Sequence, residues 1–271
     1  GDGGWARLAR PAIGLPLAAA CALAAVALLG PLLAPHDPLF PAGDPFLPPS
    51  AAHPLGTDSV GRDLLSRVLA GTQSTLLAAF VVIASGIAVG AAIGLLAGMA
   101  GGIVDHLLMR ATDAFLAMPA PILAIAVVGA LGPSLENTVI AMVVVWWPLY
   151  ARIVRGDARA FLARPAAAAA RLNRIGALRL GLRHLLPGMA PPVVIAATFD
   201  VGLLVLMLAG LSFLGLGSPS PSPELGAMSA RGLAYLLQYW WVPVMPGLAV
   251  FLLSYVANFA GDALRDLMED R

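Results

Sequence analysis

Arg171, Arg174, Arg179, Arg183 and His184 fall within the stretch RLNRIGALRLGLRHLLP, which contains no acid. Side chains of that kind bind anions, either lipid phosphates or carboxylates on an acidic partner. A carboxylate, Asp200, lies inside a long apolar run. An ionised group there is costly, so by default it is read as functional: a proton or ion site, or part of a solute path. His36 and His53 sit among prolines and could in principle meet a metal. Two isolated histidines in coil are expected to be solvated or packed in turns, so no metal site is expected. No G-x-S-x-G, H-E-x-x-H, C-x-x-C or Walker A sequence occurs. Lysine is absent, which excludes a P-loop lysine or a Schiff base in this chain. An intramembrane enzyme would need a nucleophile and a base within hydrogen-bond reach, and Asp200 alone does not supply both. No catalytic residue is expected.

The elements that hold these groups are apolar. Hydrophobic residues make up 59% of the 271 residues and charged residues 11%, with a mean hydropathy of +0.87. A soluble domain carries about 25% charged residues. Runs near the length needed to cross a bilayer, roughly 20 apolar residues, recur along the chain. The expected fold is an all-α polytopic membrane protein with six spans near residues 13–34, 74–100, 114–131, 137–150, 189–215 and 242–259. Arg7 and Arg10 precede the first run, which ends at Pro35-His36-Asp37 without an Ala-x-Ala site, so it reads as a retained span rather than a signal peptide. Cys21 is the single cysteine, so no disulfide forms within the chain. Asp200 lies about 16 Å into the fifth span at ~1.5 Å per residue, near the midplane.

Gly86, Gly90, Gly94 and Gly98 recur every fourth residue in the second span, a ridge that lets another helix approach closely. All sixteen basic residues are arginine. With the N-terminus inside, only Arg62, Arg67 and Arg231 fall outside, as the positive-inside rule favours. The fourth span is short, between Glu136 and Arg152, and the connector at 151–188 is mostly helix-forming, with a break at 173–176. In the first outer loop, Val60, Leu64, Leu65 and Val68 share one helical face and Arg62, Asp63, Ser66 and Arg67 the other. This predicts an amphipathic helix on the outer surface. Tyr235, Tyr239, Trp240 and Trp241 are expected to form an aromatic belt at the headgroups.

The stretch PAAAAARLNRIGALRLGLRHLLPG resembles the cytoplasmic coupling segment, the EAA loop, of permease subunits of binding-protein-dependent ABC importers. The resemblance is to the branch that imports dipeptides, oligopeptides and nickel. The motif falls on Ala168, Ala169, Ala170 and Arg171, then Arg179, Arg183, His184, Leu186 and Pro187, and the coupling segment it marks also holds Arg174 and Gly176. HPLGTDSVGRDLLSRVLAG from His53, DHLLMRATDAFLAMPAPILAIAVV, WWPLYARIVRG, LSFLGLG from Leu211 and NFAGDALRD from Asn258 resemble the same branch, in its order. Three departures stand out. Ala168 replaces the acid that opens the coupling motif, Arg174 its glycine, and Leu208 a glutamate often found before LSFLGLG.

The resemblance implies a type I importer transmembrane domain. Its parts are an N-terminal tail, first span and outer loop over 1–72, a core over 73–265 with the coupling segment at 152–188, and a cytoplasmic tail over 266–271. It also implies a homologous second permease, one or two ATP-binding subunits that carry ATP and Mg²⁺, and an extracytoplasmic binding protein, around a bacterial inner membrane. No cofactor in this chain and no nucleic-acid partner are expected. The cargo stays open among peptides, nickel complexes and haem. The rival readings are a stand-alone secondary transporter using Asp200, for which no inverted repeat is visible, and an intramembrane enzyme.

Overall fold

The computed structural model describes residues 11–165, 176–181 and 185–269. Ala168, Ala169, Ala170, Arg171, Arg174, Arg183 and His184 lie outside them. The regular structure among the described residues is helical, and a lone bridge between Thr57 and Asp63 is the extended pairing among them. The helices are α1 (Pro11–Leu33), α2 (Leu64–Ala100), α3 (Gly102–Ala117), α4 (Ala120–Leu131), α5 (Leu135–Leu162), α6 (Ala177–Leu180), α7 (Leu186–Phe213), α8 (Leu225–Gly232) and α9 (Trp241–Glu269). α1, α2, α5, α7 and α9 are long and apolar enough to cross a membrane, and α3 with α4 make a sixth span if that bent pair counts as one.

Three expected elements take a different form. The third span is not one straight helix, because α3 and α4 meet at an angle of 90°. Pro119 forces the break: its ring disfavours helical backbone at the preceding residue, and Met118 is extended at φ −90°, ψ 135°. α4 alone, with 12 residues, is about 18 Å long, short of the ~30 Å hydrocarbon core. The fourth span is longer than expected, since α5 runs on through Arg152, Arg155 and Arg159 to Leu162. Those arginines find carboxylates along one side of the helix, so their charge does not end it. The separate surface helix is absent, because residues from Leu64 on form the first turns of α2. Its polar face is buried too: Asp63 is 0% and Arg67 1% exposed, alongside Leu64 at 1%, whereas Val60, ahead of the helix, is 50% exposed.

The described chain divides into two compact units. One comprises the residues up to Val81, Ile125–Val139 and those from Thr198 on. Here α9 packs along α1. One apolar cluster joins Val205, Leu225, Val250 and Leu253. A second joins Leu64, Met228, Trp241 and Val242, with Phe46 and Tyr239 against it. The expected aromatic belt is mostly drawn into this cluster. Phe46 stacks on Tyr239 at 4.2 Å between ring centroids and meets Tyr235 at 4.8 Å. Trp241 is buried, and Trp240 stays exposed.

The other unit comprises Val82–Ala124 and Ile140–Ala197. Its core is the glycine ridge of α2 against α5. A Cβ at Gly90 would lie 2.6 Å from the Trp147 carbonyl oxygen, one at Gly94 2.5 Å from that of Ala151, and one at Gly98 2.7 Å from Ala158 Cβ. Gly86 faces the Tyr150 ring. Only hydrogen fits in this groove, and backbone cannot move aside as a flexible side chain would. Gly90→Leu and Gly94→Leu should each therefore cost about 3 kcal/mol or more through overpacking. Gly129→Leu, where no atom lies within 4 Å, should leave thermal unfolding in detergent nearly unchanged.

Candidate functional site

Two polar constellations interrupt the apolar chain. The first surrounds the segment expected to couple to a partner. α3 carries Asp105 and Asp113, and α5 carries Arg152, Arg155 and Arg159. Arg155 donates from Nε and Nη2 to the two Asp105 carboxylate oxygens at 2.6 and 2.7 Å, a bidentate fork. Arg159 donates to the same carboxylate, and Arg152 pairs with Asp113 at the surface. Asp105 is buried, so α3 is clipped to α5 by one shared carboxylate and two arginines. The charge of these three arginines is largely answered within the chain.

Beyond α5, the short helix α6 is anchored through buried residues among those described. Leu180 and Leu185 are buried, and a Cβ on Gly181 would come within 3.0 Å of the Met99 sulfur at the end of α2. Gly176, Arg179 and Pro187 are exposed, and nothing lies within 4 Å of a Cβ built on Gly176. Of the expected coupling residues that are described, all three thus face outward from an anchored turn. Their charge and open backbone can be reached by another protein.

Asp200 lies at the middle of α7. It is 6% exposed and engaged in an interaction within the chain, not free.

The second constellation was not anticipated. Most polar residues of the HPLGTDSVGRDLLSR stretch have a structural task. Asp63 caps α2, its Oδ2 accepting from the backbone N and Oγ of Ser66 at 2.8 and 2.7 Å. Its Oδ1 meets His53 Nδ1 at 2.9 Å. Asp58 accepts from the backbone N of Val60 and Arg62 and from Arg62 Nε at 2.7 Å. Thr57 Oγ1 accepts from Leu47 N and donates to the Asp44 carbonyl. Arg67 donates to the carbonyls of Pro38 and Pro221 at 2.6 and 3.2 Å, tying two distant loops together. Gly61 sits at φ +81°, where a side chain would be strained and would strike the Gly43 carbonyl.

Arg62, Arg67 and Arg231, the three arginines expected outside, line one cavity of about 150 Å³ with Asp58 and Tyr235. Burial, and then Arg62 nearby, lower the pKa of Arg231 from its usual value. Beside this cavity the LSFLGLG stretch is held by Glu224, a residue the sequence reading passed over. The buried Glu224 carboxylate accepts from Ser212 Oγ and from the backbone N of Ser218, and its carbonyl accepts from Met228 N inside α8. The two histidines read as isolated are in contact, with ring centroids 5.0 Å apart.

The comparisons agree with this layout. The sequence profile of the family described as "Binding-protein-dependent transport system inner membrane component" matches residues 90–271. The chain belongs to this family. It is 40% identical over 266 residues to a protein of Escherichia coli K12 named as a probable D,D-dipeptide transport system permease, DdpC, covering 95% of this chain and 89% of that one. It is 37% identical over 252 residues to the nickel transport system permease NikC of the same organism, covering 91% and 90%. In fold it is similar to a chain of the inward-facing methionine ABC transporter MetNI, with a TM-score of 0.55 and 24% identity, over 74% of this chain and 95% of the other. The chain is thus a multi-pass permease subunit with the fold of a type I ABC importer transmembrane domain.

Asp105 should matter more than Asp113. Asp105→Ala strands two arginines and should lower the melting temperature clearly. Asp113→Ala removes an exposed pair, worth at most about 1 kcal/mol, and should shift it little.

Proposed function

We propose that this permease conducts peptides across a bacterial inner membrane. In this reading a homologous second permease completes the path, and an extracytoplasmic binding protein delivers the cargo. One or two separate subunits bind ATP and Mg²⁺ and hydrolyse the nucleotide. Both termini and the segment at 152–188 face the cytoplasm, and residues 35–63 and 216–240 face the exterior. The 40% identity to a dipeptide-system permease over nearly the whole chain carries the choice of cargo. The identity to a nickel-system permease keeps Ni²⁺ complexes as the second reading.

The coupling step follows from the anchored turn. Gly176, Arg179 and Pro187 offer an exposed surface, while Leu180 and Leu185 hold the turn to the helices behind it. A partner that closes on ATP would displace the turn together with those helices, a rigid-body transfer of the hinge type. The small residues Ala168, Ala169 and Ala170 allow the partner's surface to approach the backbone, and Arg171, Arg174, Arg183 and His184 supply its charge complement. Asp200 serves the solute path from the middle of α7.

The test uses the reconstituted complex in liposomes. Uptake of a labelled dipeptide should require ATP, the ATP-binding subunits and the binding protein; uptake by the permeases alone would overturn the reading. Saturable binding of Ni²⁺ complexes but not dipeptides by the binding protein would select the second cargo. Ala169→Trp and Ala170→Trp should reduce recovery of the ATP-binding subunits in a pull-down. Arg159→Gln should leave recovery intact, because Arg155 still holds Asp105. Equal recovery from all three variants would contradict docking at this segment.

A further inference from the structure

We propose that His36, His53 and Asp63 bind one divalent transition-metal ion of the zinc class, which staples the first connector to the start of α2. The three side chains each offer one ligand atom, and these atoms lie within 4.8 Å of one another. Two separations are specific: His53 Nδ1 to Asp63 Oδ1 is 2.9 Å and His36 Nδ1 to Asp63 Oδ1 is 3.9 Å. A tetrahedral ion with bonds of about 2.0–2.1 Å holds its ligand atoms about 3.3–3.4 Å apart. The two measured edges fall on either side of that value, each within about half an ångström, and the third, between the histidines, is no longer than 4.8 Å, so the rings need approach by at most ~1.4 Å to close the site.

The surroundings are those of a ligand set. Asp63 is held through its other oxygen by Ser66 N and Oγ, an outer shell that aims Oδ1 at the histidines. His36 Nδ1 is buried and has no hydrogen-bond partner. A ring nitrogen left so is costly unless something fills its lone pair. A plain His53–Asp63 hydrogen bond accounts for His53 but leaves His36 Nδ1 unanswered, whereas an ion satisfies both. The His36 side chain is 35% exposed and that of Asp63 0%, so a water completing the coordination would enter on the His36 side. Two imidazoles with one carboxylate favour Zn²⁺, Co²⁺ or Ni²⁺ over Mg²⁺ and Ca²⁺, which take oxygen ligands.

On binding, the ion replaces the proton shared by His53 Nδ1 and Asp63 Oδ1, and that proton passes to solvent. The ligands come from both ends of the Pro-rich coil between His36 and Asp63. The ion would close that loop and restrict the unfolded chain. This role is independent of the cargo, since the site is built from the connector alone.

The test uses the full chain, purified in detergent and treated with chelator. Zn²⁺ titration by calorimetry should give one site per chain and raise the melting temperature, while Mg²⁺ should do neither. Co²⁺ in place of Zn²⁺ should give the intense visible bands of a four-coordinate site. His36→Phe removes the ring nitrogen but keeps the backbone N–H that bonds Ser66 Oγ. It should weaken Zn²⁺ binding about tenfold or more and abolish the thermal gain, with metal-free melting unchanged. His106→Asn, on α3, should bind as the parent does. An absent Zn²⁺ isotherm, a weak spectrum of hydrated Co²⁺ with the parent chain, or equal Zn²⁺ affinity in His36→Phe would each overturn the proposal.

Discussion

The constraint on which one whole unit of the molecule depends is the contact of α2 with α5, where Gly90 and Gly94 face backbone carbonyls with no room for a methyl group. Inside a bilayer apolar burial gives no net drive to associate, because lipid tails are as apolar as leucine. Helices must gain their affinity from dispersion and close fit. The ridge supplies that fit over three turns, and other features of its unit follow from it. It sets α5 beside the end of α2, and α5 carries the arginines that clip α3. Met99, one residue past the ridge, backs the anchored turn at Gly181. In the coupling step proposed above, the turn can transmit a push only if what lies behind it does not yield. The combination of a tight ridge and a buried carboxylate shared by two arginines meets that need.

The polar connector solves a different problem. It gathers three arginines, two histidines and two aspartates beside apolar helices, and buried charges are tolerated only when paired and hydrogen-bonded. Arg67 illustrates the solution, its guanidinium bonding carbonyls of two loops far apart in sequence and lying near Asp58. The connector is thereby a folded element rather than a loose tether. Its cavity is lined by Arg62, Arg67 and Arg231 with Asp58, so positive charge predominates there.

Much of this was legible in the sequence, and the misses have physical causes. Apolar runs gave the span count because the bilayer fixes their length. The glycine register announced a packing ridge because only glycine repeats so strictly for that purpose. The bend at Pro119 was missed because apolar composition alone does not register a backbone break, although the proline itself was there to be read. The amphipathic helix was read with one side exposed: an alternation of faces does not say that both are covered, and here Leu64 packs in the apolar cluster while a folded loop covers the polar side. The Asp105 clip was legible in principle. Asp105 and Asp113 lie about two turns apart on α3, matching the spacing of Arg159 and Arg152 on α5. The meeting of His36 with His53 and the bond from Glu224 to Ser212 depend on loop paths that no local pattern encodes.

The central claim is that the exposed turn at Arg179 is gripped by a separate ATP-binding subunit. The direct measurement places a cysteine there, Arg179→Cys in a Cys21→Ser background, and treats the assembled complex in native membranes with a short thiol cross-linker. The account predicts a covalent adduct with the ATP-binding subunit, whose yield changes between nucleotide-free and ATP-bound states. A complex that transports normally yet forms no such adduct, with the cysteine labelled by a membrane-impermeant reagent from outside intact cells, would contradict it.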